Sequence, residues 1–241
     1  MAATSPVHRV ARDHRLYVWF ALLLPLLVLV GFARTYYLKG VFSGPALPSL
    51  LVHVHGAVMT SWVLLVVVQI WLVASRRTKV HQRLGIAGAL LAILVVIIGI
   101  ATAVQAAARG ASPGPPALQF LVVPLIDMVL FSIFVGTALY FRRRLEIHKR
   151  LMLLAAATPL TAAVARIPFN FIFTGGPLVF FGLTDLCLIA FVLIDTFKHR
   201  KLHPVFLWGT ILFIASQPLR LMLAGTNTWM QFATWLTAFA K

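Results

Sequence analysis

The sequence predicts an all-α fold: a polytopic membrane helix bundle of about seven transmembrane helices, N-terminus in and C-terminus out. Three observations predict it. Of 241 residues, 61% are hydrophobic and only 11% are charged, with a mean hydropathy of +0.96; a water-soluble fold has no use for that much apolar surface, whereas a bundle facing lipid does. The apolar residues gather in seven runs, approximately 16–34, 49–74, 84–108, 117–141, 150–173, 177–197 and 204–224. Each is near the ~20 residues that a helix needs to cross ~30 Å of hydrocarbon. The basic residues, finally, fall in alternate loops.

That alternation explains the net charge of +16. Arg9, Arg12 and Arg15 precede the first run. Arg76, Arg77, Lys79 and Arg83 separate the second from the third, Arg142, Arg143, Arg144, Lys149 and Arg150 the fourth from the fifth, and Lys198, Arg200 and Lys201 the sixth from the seventh. The other loops hold only Arg34, Lys39 and Arg109, with Lys241 at the end. This is the positive-inside pattern of a membrane protein, and it gives no basic face for nucleic acid.

The first run follows a basic N-terminus as a signal peptide would, but it exceeds a typical h-region and no small-x-small site follows it cleanly. An uncleaved first span is expected. Segments 40–48 (GVFSGPALP) and 110–116 (GASPGPP) are glycine- and proline-rich turns, so residues 1–241 read as a single integral membrane domain. The fifth run is interrupted by Arg166, Pro168 and Asn170, so its far end is expected to be irregular. Residues 229–240, with Trp229 and Trp235, suit a short interfacial helix. The one cysteine, Cys187, excludes an intrachain disulfide and reads as an inert core residue. VHQRLGIAGALLA (80–92), IHKRLMLLAAATP (147–159) and LHPVFLWGTILF (202–213) form a weak repeat, each placing a histidine at the start of an odd-numbered span.

Polar groups inside hydrocarbon cost several kcal/mol unless paired, so they are the candidates for function. Leu51–Gln69 carries His53 and His55, which lie about 200° apart on a helix and cannot face one site. His55, Met59, Trp62 and Gln69 form one stripe and mark the inward face, with Gly56 allowing close approach. At similar depth stand Asp127, Arg166, Asn170, Asp185, Gln217 and Arg220, with Gln105 near the boundary; Arg166 with Asn170, and Gln217 with Arg220, are spaced to share faces within their helices. Asp127 or Asp185 paired with Arg166 or Arg220 would make a structural network. The same groups lining a cavity would hold an anionic or redox ligand, because arginine's planar fork suits carboxylates, phosphates and haem propionates. Pro124, Pro159, Pro168 and Pro218 lie beside them and predict kinked helices. At the opposite depth, His81, His148, His199 and His203 start or end helices. His55, His81 and His148, with Arg166 and Arg220, are the candidates for holding a cofactor; His53, His55 and His203 are candidate metal ligands.

Two resemblances rest on these residues. HxHG at 53–56, HxRLG at 81–85, HKRLMLLA at 148–155 and SQPLRL at 216–221 resemble a widespread family of uncharacterised bacterial seven-span integral membrane proteins; this covers nearly the whole chain and implies an inner-membrane location but no activity. Separately, His55-Gly56 with Met59 and Trp62, followed by His81 opening the next helix, is similar over about a third of the chain to transmembrane diheme cytochromes b. That resemblance implies haem b between His81 and His148; the redox reading of these residues would move electrons between quinone and a partner. The second haem would pair His55 with span four, which offers Asp127 and Met128 instead of histidine.

The expected function is therefore a haem- or metal-binding redox protein. The alternatives are an accessory subunit of a membrane complex, a small-molecule transporter, or a metalloenzyme. No GxxxxGK[ST], GxSxG or HExxH motif is present, and the seventh span has no lysine for a retinal Schiff base.

Overall fold

Proline and glycine set where the apolar runs bend or stop. In a computed structural model the described residues are 6–44, 46–112 and 115–240, with side chains from Tyr17 onward except Phe173. The side chains of Arg9, Arg12 and Arg15, the loop positions Pro45, Pro113 and Gly114, and Lys241 lie outside the described residues. Among those described, every regular element is a helix: α1 (Pro6–Phe32), continued by a π-helical turn at Ala33–Tyr37, α2 (Leu50–Ala74), α3 (Thr78–Ala108), α4 (Ala117–Phe120), α5 (Val122–Tyr140), α6 (Leu145–Ala157), α7 (Leu160–Val164), α8 (Asn170–His199), α9 (Pro204–Ala224) and α10 (Asn227–Ala238). Six stretches are long and apolar enough to cross a membrane: Tyr17–Tyr37, Leu50–Ala74, Thr78–Ala108, Ala117–Tyr140, Thr174–His199 and Pro204–Ala224. They match six of the seven expected spans.

The expected span at 150–173 is built differently. It starts earlier and divides into α6 and α7, joined by Thr158 and Pro159, which keep right-handed helical angles. Pro159 lacks an N–H and crowds the carbonyl one turn before it, so the helix is interrupted there without turning back. Pro168 then disfavours helix at Ile167, and α8 does not begin until Asn170. Leu145–Val164 is still roughly 30 Å of chain at helical rise. Its special feature is burial: Leu154, Ala155, Thr158 and Ala163 are each 0% exposed. Helices α1, α5, α8 and α9 pack around it. The alanines let those neighbours come close, as small residues do between membrane helices.

The outer helices show the complementary pattern. On α3, Ile86, Leu90, Ile93 and Ile97 are exposed on one face, while Gly88, Ala92, Val95 and Gly99 are buried on the other. An apolar outer face with small residues inward is the build of a helix between lipid and a packed bundle. Cys187 corrects the expectation of a core residue, because it lies exposed on the surface of α8. The last helix starts two residues before the expected 229, capped by Thr226, whose hydroxyl accepts from the Trp229 N–H at 3.2 Å. Only Trp235 points outward; Trp229 is buried and its Nε1–H donates to the Leu118 carbonyl at 2.8 Å.

Successive long helices run in opposite directions, so the loops at 75–77, 141–144 and 200–203 share one end, called here the basic end. Residues 38–49, 109–116 and 165–169 share the far end.

The tightest approach to the buried segment is made by α1. A Cβ added at Gly31 would collide with the Ala163 backbone carbonyl in α7, and backbone cannot yield as a side-chain tip can. Gly31→Ala should therefore destabilise the protein by about 1–3 kcal/mol, the usual cost of overpacking. Thermal unfolding in detergent checks this; an unchanged midpoint would contradict it.

Candidate functional site

The polar side chains sort into three groups by depth. At the basic end, Arg150 of α6 is only 2% exposed and Asp195 of α8 is 0% exposed. Arg150 donates to Asp195 Oδ2 from Nε at 3.0 Å and from Nη2 at 2.8 Å, and from Nη1 to Glu146 Oε2 at 2.6 Å. Its guanidinium lies 5.5 Å from the centre of the Phe206 ring. His199 Nδ1 sits 3.3 Å from the other Asp195 oxygen. Arg150 is thus no loop cation of the positive-inside pattern but the buried link between the central segment and α8.

Beside this network His203 caps α9: its Nδ1 accepts from the Val205 N–H at 3.2 Å, which requires a neutral ring nitrogen. Burial pushes His203 below the ordinary histidine range, and Arg150 and Lys149 add to that against Glu146 and Asp195.

His81 and His148 are brought together at the same end. Their ring centroids are 6.3 Å apart and their planes differ by 80°. His148 Nδ1 lies 2.8 Å from the Ala138 carbonyl, so it carries the proton and leaves Nε2 as the free lone pair. Gln69, from the inward stripe of α2, lies against His81. With its amide turned to donate, it reaches His81 Nδ1 at 2.5 Å and the His81 carbonyl at 3.2 Å, while its oxygen accepts from the Gly85 N–H at 3.2 Å. An amide serves either tautomer of the ring it faces.

In mid-bundle, Arg220 of α9 donates to Asp127 of α5 at 2.6 Å and to Ser216 at 3.0 Å, with both members of the ion pair buried. Gln217 donates to Asp185 of α8 at 2.6 Å. Gln217 and Arg220 therefore share an inward face, as expected, and each acid has a partner. Arg166 is not among those partners.

At the far end, His55 and His53 diverge as their spacing predicts. His53 is exposed, 6.4 Å from the Tyr36 ring. His55 turns inward, and its Nδ1 is buried without a hydrogen-bond partner. Met59 and Trp62 continue that inward stripe: the Met59 methyl and Met128 Sδ both border Gly99, and Trp62 packs edge-on against Phe131 with centroids 5.0 Å apart. The Tyr36 ring fills the space over Gly56. Arg166 follows α7, with its guanidinium 5.0 Å from the centre of the Phe32 ring. Asn170 does not share its face, because the break at Ile167–Phe169 separates them, and Asn170 is exposed.

The expected metal set therefore does not form. His53 and His55 stand at the far end and His203 at the basic end, and among the described residues no three His, Cys, Asp or Glu side chains come together. The diheme pattern is also incomplete, because Asp127 is taken by Arg220 and Met128 is packed into the core. Asp195 and Glu146 were not among the sequence candidates. An acid inside the run 177–197, four residues before His199, was the signal for Asp195.

No protein-family model matches the chain, and neither a curated protein nor a solved structure does.

Two predictions follow from the basic-end network. Asp195→Asn leaves Arg150 buried with one partially solvated acid and should cost about 3–5 kcal/mol, whereas Arg150→Met combined with Asp195→Leu should cost much less. Unfolding midpoints of the single and double variants check this; a double variant no better than the single would contradict it. For His203, the folded state resists a proton that the unfolded chain takes up near pH 6.5. Stability should fall as pH drops below about 6.5 and be level above it. His203→Asn keeps a cap and should flatten that slope; an unaltered slope would contradict the assignment.

Proposed function

We propose that the protein is a seven-pass redox protein of the bacterial inner membrane, basic loops inside, that binds one b-type haem between His81 and His148 and passes electrons between quinone and a partner. One observation carries the reading: two imidazoles on separate helices, 6.3 Å apart between centroids and nearly perpendicular. Imidazoles at that separation would both be within reach of one metal centre bound between them.

The number of donors favours a porphyrin over a bare ion. A structural zinc wants four protein ligands and a catalytic one three, and among the described residues two imidazoles stand together here. A haem would bring most of its own donors, so His81 and His148 would suffice to hold it. The backbone carbonyl that fixes His148 is the usual outer partner of a ligating histidine; ligation through His81 Nε2 would require the Gln69 amide, which donates to His81 Nδ1, to turn. The group itself would supply reversible one-electron chemistry; the chain contributes ligation, orientation and exclusion of water. A single haem is proposed because His55 has no imidazole facing it.

Protein expressed with ample haem and purified in detergent should show a Soret band that shifts on dithionite reduction, with sharp alpha and beta bands and about one haem per chain. His81→Ala and His148→Ala should lose the bands, and His55→Ala should keep them. A flat visible spectrum, or bands that survive loss of both His81 and His148, would overturn the proposal.

A further inference from the structure

Among the described residues, three arginines are at least partly enclosed by the bundle, and two of them have carboxylates: Arg150 has Asp195 and Arg220 has Asp127. The third is Arg166. It is half-buried, and among the described residues it makes one hydrogen bond, from Nη1 to the Ala162 carbonyl at 2.8 Å, and a ring contact with Phe32. A guanidinium has five N–H donors in a planar fork, so most of this one is open to a further partner at the far end of the bundle.

What lies next to Arg166 is equally unsatisfied. The chain runs from Phe32, under the guanidinium, through the π-helical turn to Tyr36, whose ring covers Gly56 and whose hydroxyl donates to the His53 carbonyl at 3.3 Å. His55 immediately precedes Gly56 on α2, with its Nδ1 enclosed and unpartnered. Single π-helical turns are uncommon and recur at functional sites. An unspent cationic fork, an orphaned imidazole nitrogen and a π turn thus share one place at the far end.

We infer that Arg166 and His55 form a binding site for an oxyanion, a carboxylate or phosphate, supplied either by a lipid headgroup or by a free anion. The fork of Arg166 takes two oxygens of such a group, and His55 Nδ1 donates to it or accepts from its hydroxyl. This site is separate from the His81–His148 pair and stands whether or not haem is bound there.

The test uses delipidated full-length protein in a neutral maltoside detergent and chloride buffer. Its unfolding midpoint is followed against sodium phosphate, sodium acetate and dioleoylphosphatidylglycerol in mixed micelles, with sodium chloride at matched ionic strength as reference. At least one oxyanion should raise the midpoint saturably beyond chloride, as mass action requires of a ligand that binds only the folded state. A response to phosphatidylglycerol alone identifies the headgroup as the source; a response to phosphate or acetate identifies a free anion. Arg166→Gln should abolish the shift and, with no oxyanion present, be at least as stable as the parent, because it removes an uncompensated cation. His55→Phe should weaken apparent affinity about tenfold, the loss of one hydrogen bond to a charged group. No shift beyond chloride, a shift that persists in Arg166→Gln, or an Arg166→Gln protein that is destabilised without anion would each overturn the site.

Discussion

The Arg150–Asp195 ion pair holds the rest of the structure to account. It ties the start of a central helical segment, residues 145–164, to α8 in a place where neither charge meets water. Such a pair contributes little net stability, because desolvation offsets the attraction, but losing one half is severe. Its effect here is positional. With α6 fixed at the basic end and Gly31 of α1 seated on the Ala163 carbonyl near the far end, the segment becomes a buried post around which the lipid-facing helices are arranged.

Both proposed sites stand at the ends of that post. His148 lies in its first turn and Arg166 just beyond its last residue. The post sets His148 against His81 of α3, and sets Arg166 against Phe32 at the end of α1. Between them, Asp127–Arg220 and Asp185–Gln217 close the polar groups of α5, α8 and α9 on one another. Inside hydrocarbon, satisfied pairs mark structure, and an unsatisfied polar group is a candidate for taking up something from outside. Arg166 and the ring nitrogen of His55 are in the second class.

Much of this was legible in the sequence because membrane burial imposes simple rules. Lengths of apolar runs located six spans, and the 3.6-residue period separated His55 from His53 and aligned His55, Met59, Trp62 and Gln69 on one face. Helix spacing likewise put Gln217 with Arg220. The fifth span was less legible. Hydropathy sees apolar length and is blind to whether lipid or protein surrounds it, so the most buried segment read as one more span. Arg150 was misread for the same reason: it stands among loop arginines in the sequence but turns inward, toward an acid 45 residues away that no local pattern links to it. Partner choice between Asp127, Asp185, Arg166 and Arg220 depends on helix order, which periodicity does not carry.

Hydrogen–deuterium exchange of the detergent-purified protein tests the central post most directly. Amides of residues 151–163 should be the slowest to exchange in the whole chain, slower than those of the lipid-facing α2 and α3, because exchange there requires opening of the bundle itself. Exchange across 151–163 faster than in α2 and α3 would contradict the account: the segment would then be a peripheral element, and neither end of it a fixed platform for a site.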